Sequence, residues 1–159
     1  MVSSSERRAW RLVKTKFLDS AFKGEGARRY GGRWNSPGVA VVYLAGSPAL
    51  AVLEVLVHLD DTAPLGAYSL VPVEFPANFV HVLPAAQLPV SWAQQPAPLA
   101  TRELGDEWAS SERSVLLAVP SVVVPEEEVL ILNPRHPDAP QVRVGTPRPF
   151  QWDRRLLVV

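Results

Sequence analysis

Cysteine is missing from this chain of 159 residues. Disulfide staples, thiolate-ligated zinc and iron–sulfur clusters are therefore excluded. The absence fits a reducing compartment, and a cytoplasmic protein is the expectation. An excess of charge is missing too, since Lys+Arg and Asp+Glu both number 16. That balance argues against a protein whose main task is to grip nucleic-acid backbone, while leaving a local basic patch open. His58, His81 and His136 are scattered without metal-ligand spacing, so no metal centre is expected. The opening stretch Met1–Arg8 is polar and lacks the apolar centre of a signal peptide. The most apolar stretch, Val39 to Leu59, is broken by Gly46-Ser47-Pro48 and contains Glu54. It reads as a buried strand followed by a buried helix, not as a membrane span.

Familiar nucleotide and nucleophile motifs are absent as well. Gly24-Glu25-Gly26-Ala27-Arg28-Arg29 lacks the third glycine of a dinucleotide fingerprint, and there is no Walker loop. No serine sits in a nucleophile elbow. There is no internal repeat, heptad pattern or low-complexity tract.

What is present is an apolar fraction of 47%, enough to build a core, and residues 1–159 are expected to form a single domain. Trp10–Val13 reads as a first strand, and Phe17–Arg29 as a mobile basic loop with at most a helical turn. Val39–Leu44 reads as a strand buried on both faces. Ser47 and Pro48 are a helix N-cap and first position, opening a helix to about Leu59 with Asp60-Asp61 beyond it. Tyr68–Phe75 and Phe79–Leu83 read as strands. Pro84–Pro98 reads as an irregular connection, Thr101–Arg113 as an exposed helix, and Val115–Val119, Val122–Val124 and Val129–Leu132 as strands. The tail from Arg143 can supply a final strand. The fold class is α+β, with a compact, mixed, partly antiparallel sheet and flanking helices.

Three residues in one strand–turn–helix unit can do chemistry. Arg33 follows Gly31-Gly32, and its planar fork suits a phosphate or a structural carboxylate partner. Tyr43 lies at the end of an apolar strand and can flank a planar ligand or simply fill the core. Glu54 is the only charge between Ser47 and Leu59, on a helix apolar all round. A carboxylate there needs a partner or a purpose. Arg11 is a candidate to point inward. Taken alone, Ser121 and Asn133 read as turn residues, and Glu126-Glu127-Glu128 as a solvated turn.

Together these segments resemble the RES-domain family, toxins of bacterial toxin–antitoxin pairs. The matching positions are Arg33 in Gly-Gly-Arg-Trp-Asn, Tyr43 in Val-Val-Tyr-Leu-Ala, Glu54 in Ala-Leu-Ala-Val-Leu-Glu-Val-Leu-Val-His and Ser121 in Val-Pro-Ser-Val-Val-Val-Pro. Trp10-Arg11, Gly105-Asp106-Glu107-Trp108 and Asn133-Pro134-Arg135-His136 are similar to further family segments. The motif-bearing core runs from about residue 10 to residue 137. The resemblance implies an ADP-ribosyltransferase-like fold. It implies NAD as substrate rather than as a prosthetic cofactor, and cleavage at the nicotinamide glycosidic bond by hydrolysis or phosphorolysis. Glu54, Arg33 and Tyr43 are then the catalytic residues, and Arg11, Arg33, Tyr43, Ser121 and Asn133 bind the dinucleotide. It also implies an Xre-type antitoxin as partner, allows a homodimer within the toxin–antitoxin complex, and gives no role to a membrane or to direct nucleic-acid contact. The alternatives are a protein ADP-ribosyltransferase, a non-catalytic nucleotide-binding module, and a nucleic-acid-directed toxin using the basic loop from Lys23 to Arg33.

Overall fold

The computed structural model describes residues 5–59 and 66–157. Within them, eight strands form one curled sheet: β1 (Glu6–Lys14), β2 (Val42–Ala45), β3 (Tyr68–Pro76), β4 (Val80–Val82), β5 (Leu116–Pro120), β6 (Glu128–Leu132), β7 (Arg143–Val144) and β8 (Arg148–Phe150). The order across the sheet is β4-β5-β6-β2-β1-β3-β7, with β8 also on β3. Only the β4–β5 pair is parallel. Three helices accompany the sheet: α1 (Glu25–Tyr30), α2 (Pro48–Leu56) and α3 (Leu99–Ser111). The fold is thus α+β with a mixed sheet.

The apolar runs are continuous because alternate side chains feed two different cores. On β6, Leu130 and Leu132 join one cluster while Val129 and Ile131 join the other. β5 divides in the same way, with Leu116 and Ala118 on one face and Leu117 and Val119 on the other. A strand that buries both faces has no polar alternation to show. On β3, Pro72 has no N–H to offer its edge. β7 pairs with Val73 and Glu74, β8 pairs with Tyr68–Leu70, and Gly145 bridges the break by donating to the Pro72 carbonyl.

Several expectations need correction. The basic stretch from Phe17 is ordered into a 3-10 turn over Thr15–Ser20 followed by α1. Val39–Val41 precede β2 because the Asn35 carboxamide, not a neighbouring strand, takes the Val39 carbonyl. Val122–Val124 form a turn, since the Ser121 hydroxyl accepts from the backbone N–H of Val123 and Val124. α3 is not merely exposed, because it buries Thr101, Gly105 and Trp108. α2 is capped as expected: Ser47 Oγ accepts from the Leu50 N–H at 3.1 Å, and Pro48 takes the first position. Its last residue is Leu56, however, and Asp60-Asp61 lie outside the described residues. Nor is α2 buried all round. Only Leu50 and Ala51 are buried, and Ala51, Glu54 and Val55 border a cleft.

Candidate active site

The cleft measures about 1140 Å³, at or just above the upper end of ordinary small-molecule sites. Arg11, Arg33, Tyr43 and Glu54 all line it. Strand β1 brings Arg11, the loop after α1 brings Arg33, β2 brings Tyr43 and α2 brings Glu54.

The Arg33 loop is held from three sides. Gly31 closes α1 at φ 73°, a left-handed conformation that favours glycine, and its N–H donates to the Ala27 carbonyl. From below, the Tyr43 hydroxyl accepts from the Trp34 N–H at 3.0 Å and donates to Asn35 Oδ1 at 2.6 Å. The buried Asn35 carboxamide in turn donates to the Ala27 and Val39 carbonyls. From the side, α3 applies one face at three- and four-residue spacing. Arg102 donates to the Gly32 carbonyl, Gly105 lies against the Trp34 carbonyl, and Asp106 accepts from the Ser36 N–H at 2.8 Å. A Cβ on Gly105 would sit 1.6 Å from the Trp34 oxygen, so only glycine allows this approach.

Glu54 is half-buried, and no arginine pairs with it among the described residues. Its partner is Ser121, whose hydroxyl donates to Glu54 Oε1 at 2.7 Å. The structural ion pair between Arg33 and Glu54 is therefore not formed. Arg33 Nη1 instead donates to the carbonyls of Trp92 and Gln94 at 3.0 and 2.7 Å. Glu54 still acts on Arg33 at a distance. Desolvation lowers the Arg33 pKa, and the Glu54 charge opposes that shift.

Arg11 points inward. Its Nη1 donates to the Tyr43 carbonyl at 2.9 Å, while its buried Nε has no partner among the described residues. Burial pushes its guanidinium down to about 10. A desolvated cation with an unused donor is complementary to an anion. Burial also raises the Tyr43 phenol well above its usual range, so the hydroxyl stays a neutral donor and acceptor within the loop.

Ser121 is 1% exposed and stands behind Glu54 rather than in the cleft wall. Asn133 is not brought to the cleft. Its carboxamide donates to the Ala109 carbonyl at the end of α3 and accepts from the Arg135 N–H, a joint between helix and turn. The acidic run is not simply solvated either: Glu127 accepts from the Ser47 hydroxyl and Glu128 pairs with Arg7 at 3.1 Å. Sequence reasoning gave no role to Asn35, Arg102, Trp92 or Gln94. Asn35 was visible inside the glycine–arginine motif, and Arg102 stands one helical turn before Gly105-Asp106. Trp92 and Gln94 act through backbone carbonyls, which carry no residue signature. Among the described residues, no group of three or more His, Asp or Glu is placed to hold a metal, and no helix is long and apolar enough to cross a membrane.

Comparison with known proteins sets first the class and then the family. The chain matches one in the crystal structure of the M. tuberculosis MbcT–MbcA toxin–antitoxin complex with a TM-score of 0.73. The match covers 92% of this chain and 85% of that one at 19% sequence identity, and it shows a shared ADP-ribosyltransferase-like fold. The chain belongs to the RES domain family, whose profile matches residues 8–153. It is 42% identical over 149 residues to Toxin Res of Yersinia enterocolitica, covering 92% of this chain and 97% of that protein. It is 45% identical over 155 residues to the Prs ADP-ribosylating toxin of a Sphingobium species, covering 93% and 95%.

Proposed function

We propose that this chain is the toxin of a toxin–antitoxin pair and that it breaks the bond between nicotinamide and ribose in NAD. The observation that carries this reading is the placement of Glu54: a half-buried carboxylate on the cleft wall, fixed through Oε1 by Ser121. Nicotinamide leaves as a neutral molecule, so the bond needs no general acid. Positive charge develops on the ribose instead. A preorganised carboxylate stabilises it, as carboxylates do in glycoside cleavage. Arg11 and Arg33 take the diphosphate, Arg11 as a desolvated cation on the cleft wall and Arg33 through the edge its loop contacts leave over. Tyr43 presents its ring to the cleft while its hydroxyl keeps the Arg33 loop in place. Ser121 orients Glu54 without touching substrate, and Asn133 supports the frame. The toxin names of the relatives support the biological role. On this reading the partner is an Xre-type antitoxin and the place of action is the cytoplasm.

The acceptor of the ADP-ribosyl group is water or phosphate on this reading. The name of the Sphingobium relative favours a second one, in which a protein side chain is the acceptor. Product analysis separates them. NAD is incubated with the purified chain, with and without phosphate and with a bacterial extract. Free nicotinamide with ADP-ribose marks hydrolysis, a phosphate-dependent product marks phosphorolysis, and added mass on an extract protein marks transfer. No nicotinamide under any condition would leave a nucleotide-binding module.

A further inference from the structure

We infer that the segment from Trp92 to Ala97 is a wall of the cleft that sets ligand affinity, and that Arg33 is the residue positioning it. The inference takes only the class of ligand, an ADP-ribose-bearing nucleotide, from the reading above. Ala93–Pro96 is exposed, yet Gln95 and Ala97 line the cleft. Something must keep this arch against the site. One end is anchored by the Trp92 indole, which packs on the main core. The only side-chain hydrogen bonds to residues 92–97 among the described residues come from Arg33. Its Nη1 reaches two carbonyls two residues apart, Trp92 and Gln94, which pins the arch at its bend.

The guanidinium keeps its other edge. Nη1 has two hydrogens and donates to two carbonyls. Nε and Nη2 make no protein hydrogen bond among the described residues, and together they form a bidentate fork for a phosphate. One planar group can thus hold the wall and face an anion at the same time. A lysine ammonium lacks that fixed geometry. Arg33 is accordingly a positioning residue as well as a binding one, and the family motif around it serves the wall as much as the ligand.

Hydrogen exchange on the ligand-free full chain gives the first test. The Trp92 and Gln94 N–H groups donate to the Pro89 and Ser91 carbonyls and report order in the arch. In Arg33→Lys and Arg33→Ala they should exchange at least about tenfold faster, with β1 and β3 amides unchanged. Unchanged exchange at 92 and 94 in Arg33→Ala overturns the positioning role. Calorimetric titration with ADP-ribose, which involves no turnover, tests the wall while Arg33 is intact. Deleting Ala93-Gln94, or substituting Ala97→Phe where the deletion fails to fold, should weaken binding by about tenfold. Wild-type affinity in the folded variant overturns the wall. If the wild type binds ADP-ribose but never frees nicotinamide, the cleavage reading fails and the wall stands.

Discussion

Removing one hydroxyl, in Ser121→Ala, tests whether Glu54 is held or merely present. Three hydrogen bonds meet at that oxygen: donation to Glu54 Oε1 at 2.7 Å, and acceptance from the Val123 and Val124 N–H groups at 3.0 and 3.1 Å. A bond to a charged group contributes about 1.5–3 kcal/mol, and Glu54 is half-buried, so the lower end applies. The two orphaned N–H groups belong to half-buried residues that water can reach in part, adding about 1 kcal/mol together. The expected loss is therefore about 2.5 kcal/mol. At about 2–4 °C per kcal/mol for a chain of this size, that lowers Tm by about 5–10 °C. A carboxylate displaced by about 1 Å loses up to about 100-fold in rate, so kcat should fall by about 10- to 100-fold. Calorimetric melting and nicotinamide release measure the two effects. A double-mutant cycle with Glu54→Ala, which removes the acceptor, should show coupling of at least about 1 kcal/mol. Loss below about 0.5 kcal/mol with wild-type turnover would refute the claim that this hydroxyl orients the carboxylate.

Other consequences follow from the same geometry. The Tyr43 phenol has a raised pKa in the folded state, so the unfolded chain ionises first, and stability should fall as pH rises above about 10, the ordinary tyrosine value. Urea midpoints at pH 9 and pH 11 should show that loss in the wild type and a smaller one in Tyr43→Phe. Gly105→Ala drives a methyl into the Trp34 carbonyl and should cost more than about 3 kcal/mol or prevent folding, read by circular dichroism. Induced alone in bacteria, the chain should stop growth as cellular NAD falls within minutes, and co-expressed antitoxin should prevent both. Growth arrest at constant NAD would count against the mechanism.

Much of the frame was legible because it rests on local rules. Ser47-Pro48 announced α2, and the valine-rich runs announced β2, β5 and β6 to within a few residues. The candidate residues of the strand–turn–helix unit do share one cleft. Their partners were not legible. A lone glutamate on an apolar helix suggested full burial and left an arginine partner or a purpose open, whereas α2 borders a cleft and Glu54 meets a serine 67 positions away. Tyr43 showed its ring in the sequence but not that both hydrogen-bonding roles of its hydroxyl go to the Arg33 loop. Val122–Val124 has strand composition, yet one serine side chain bends it into a turn. Each miss is a tertiary contact overriding a local preference.

The most direct test of the central claim is nicotinamide release from NAD by purified wild type and Glu54→Gln at matched, verified folding. The substitution keeps the shape and the Ser121 contact but removes the charge opposite the developing ribosyl cation. Turnover should fall on the order of 100- to 1,000-fold with Tm within a few degrees. Wild-type release by folded Glu54→Gln would contradict the account.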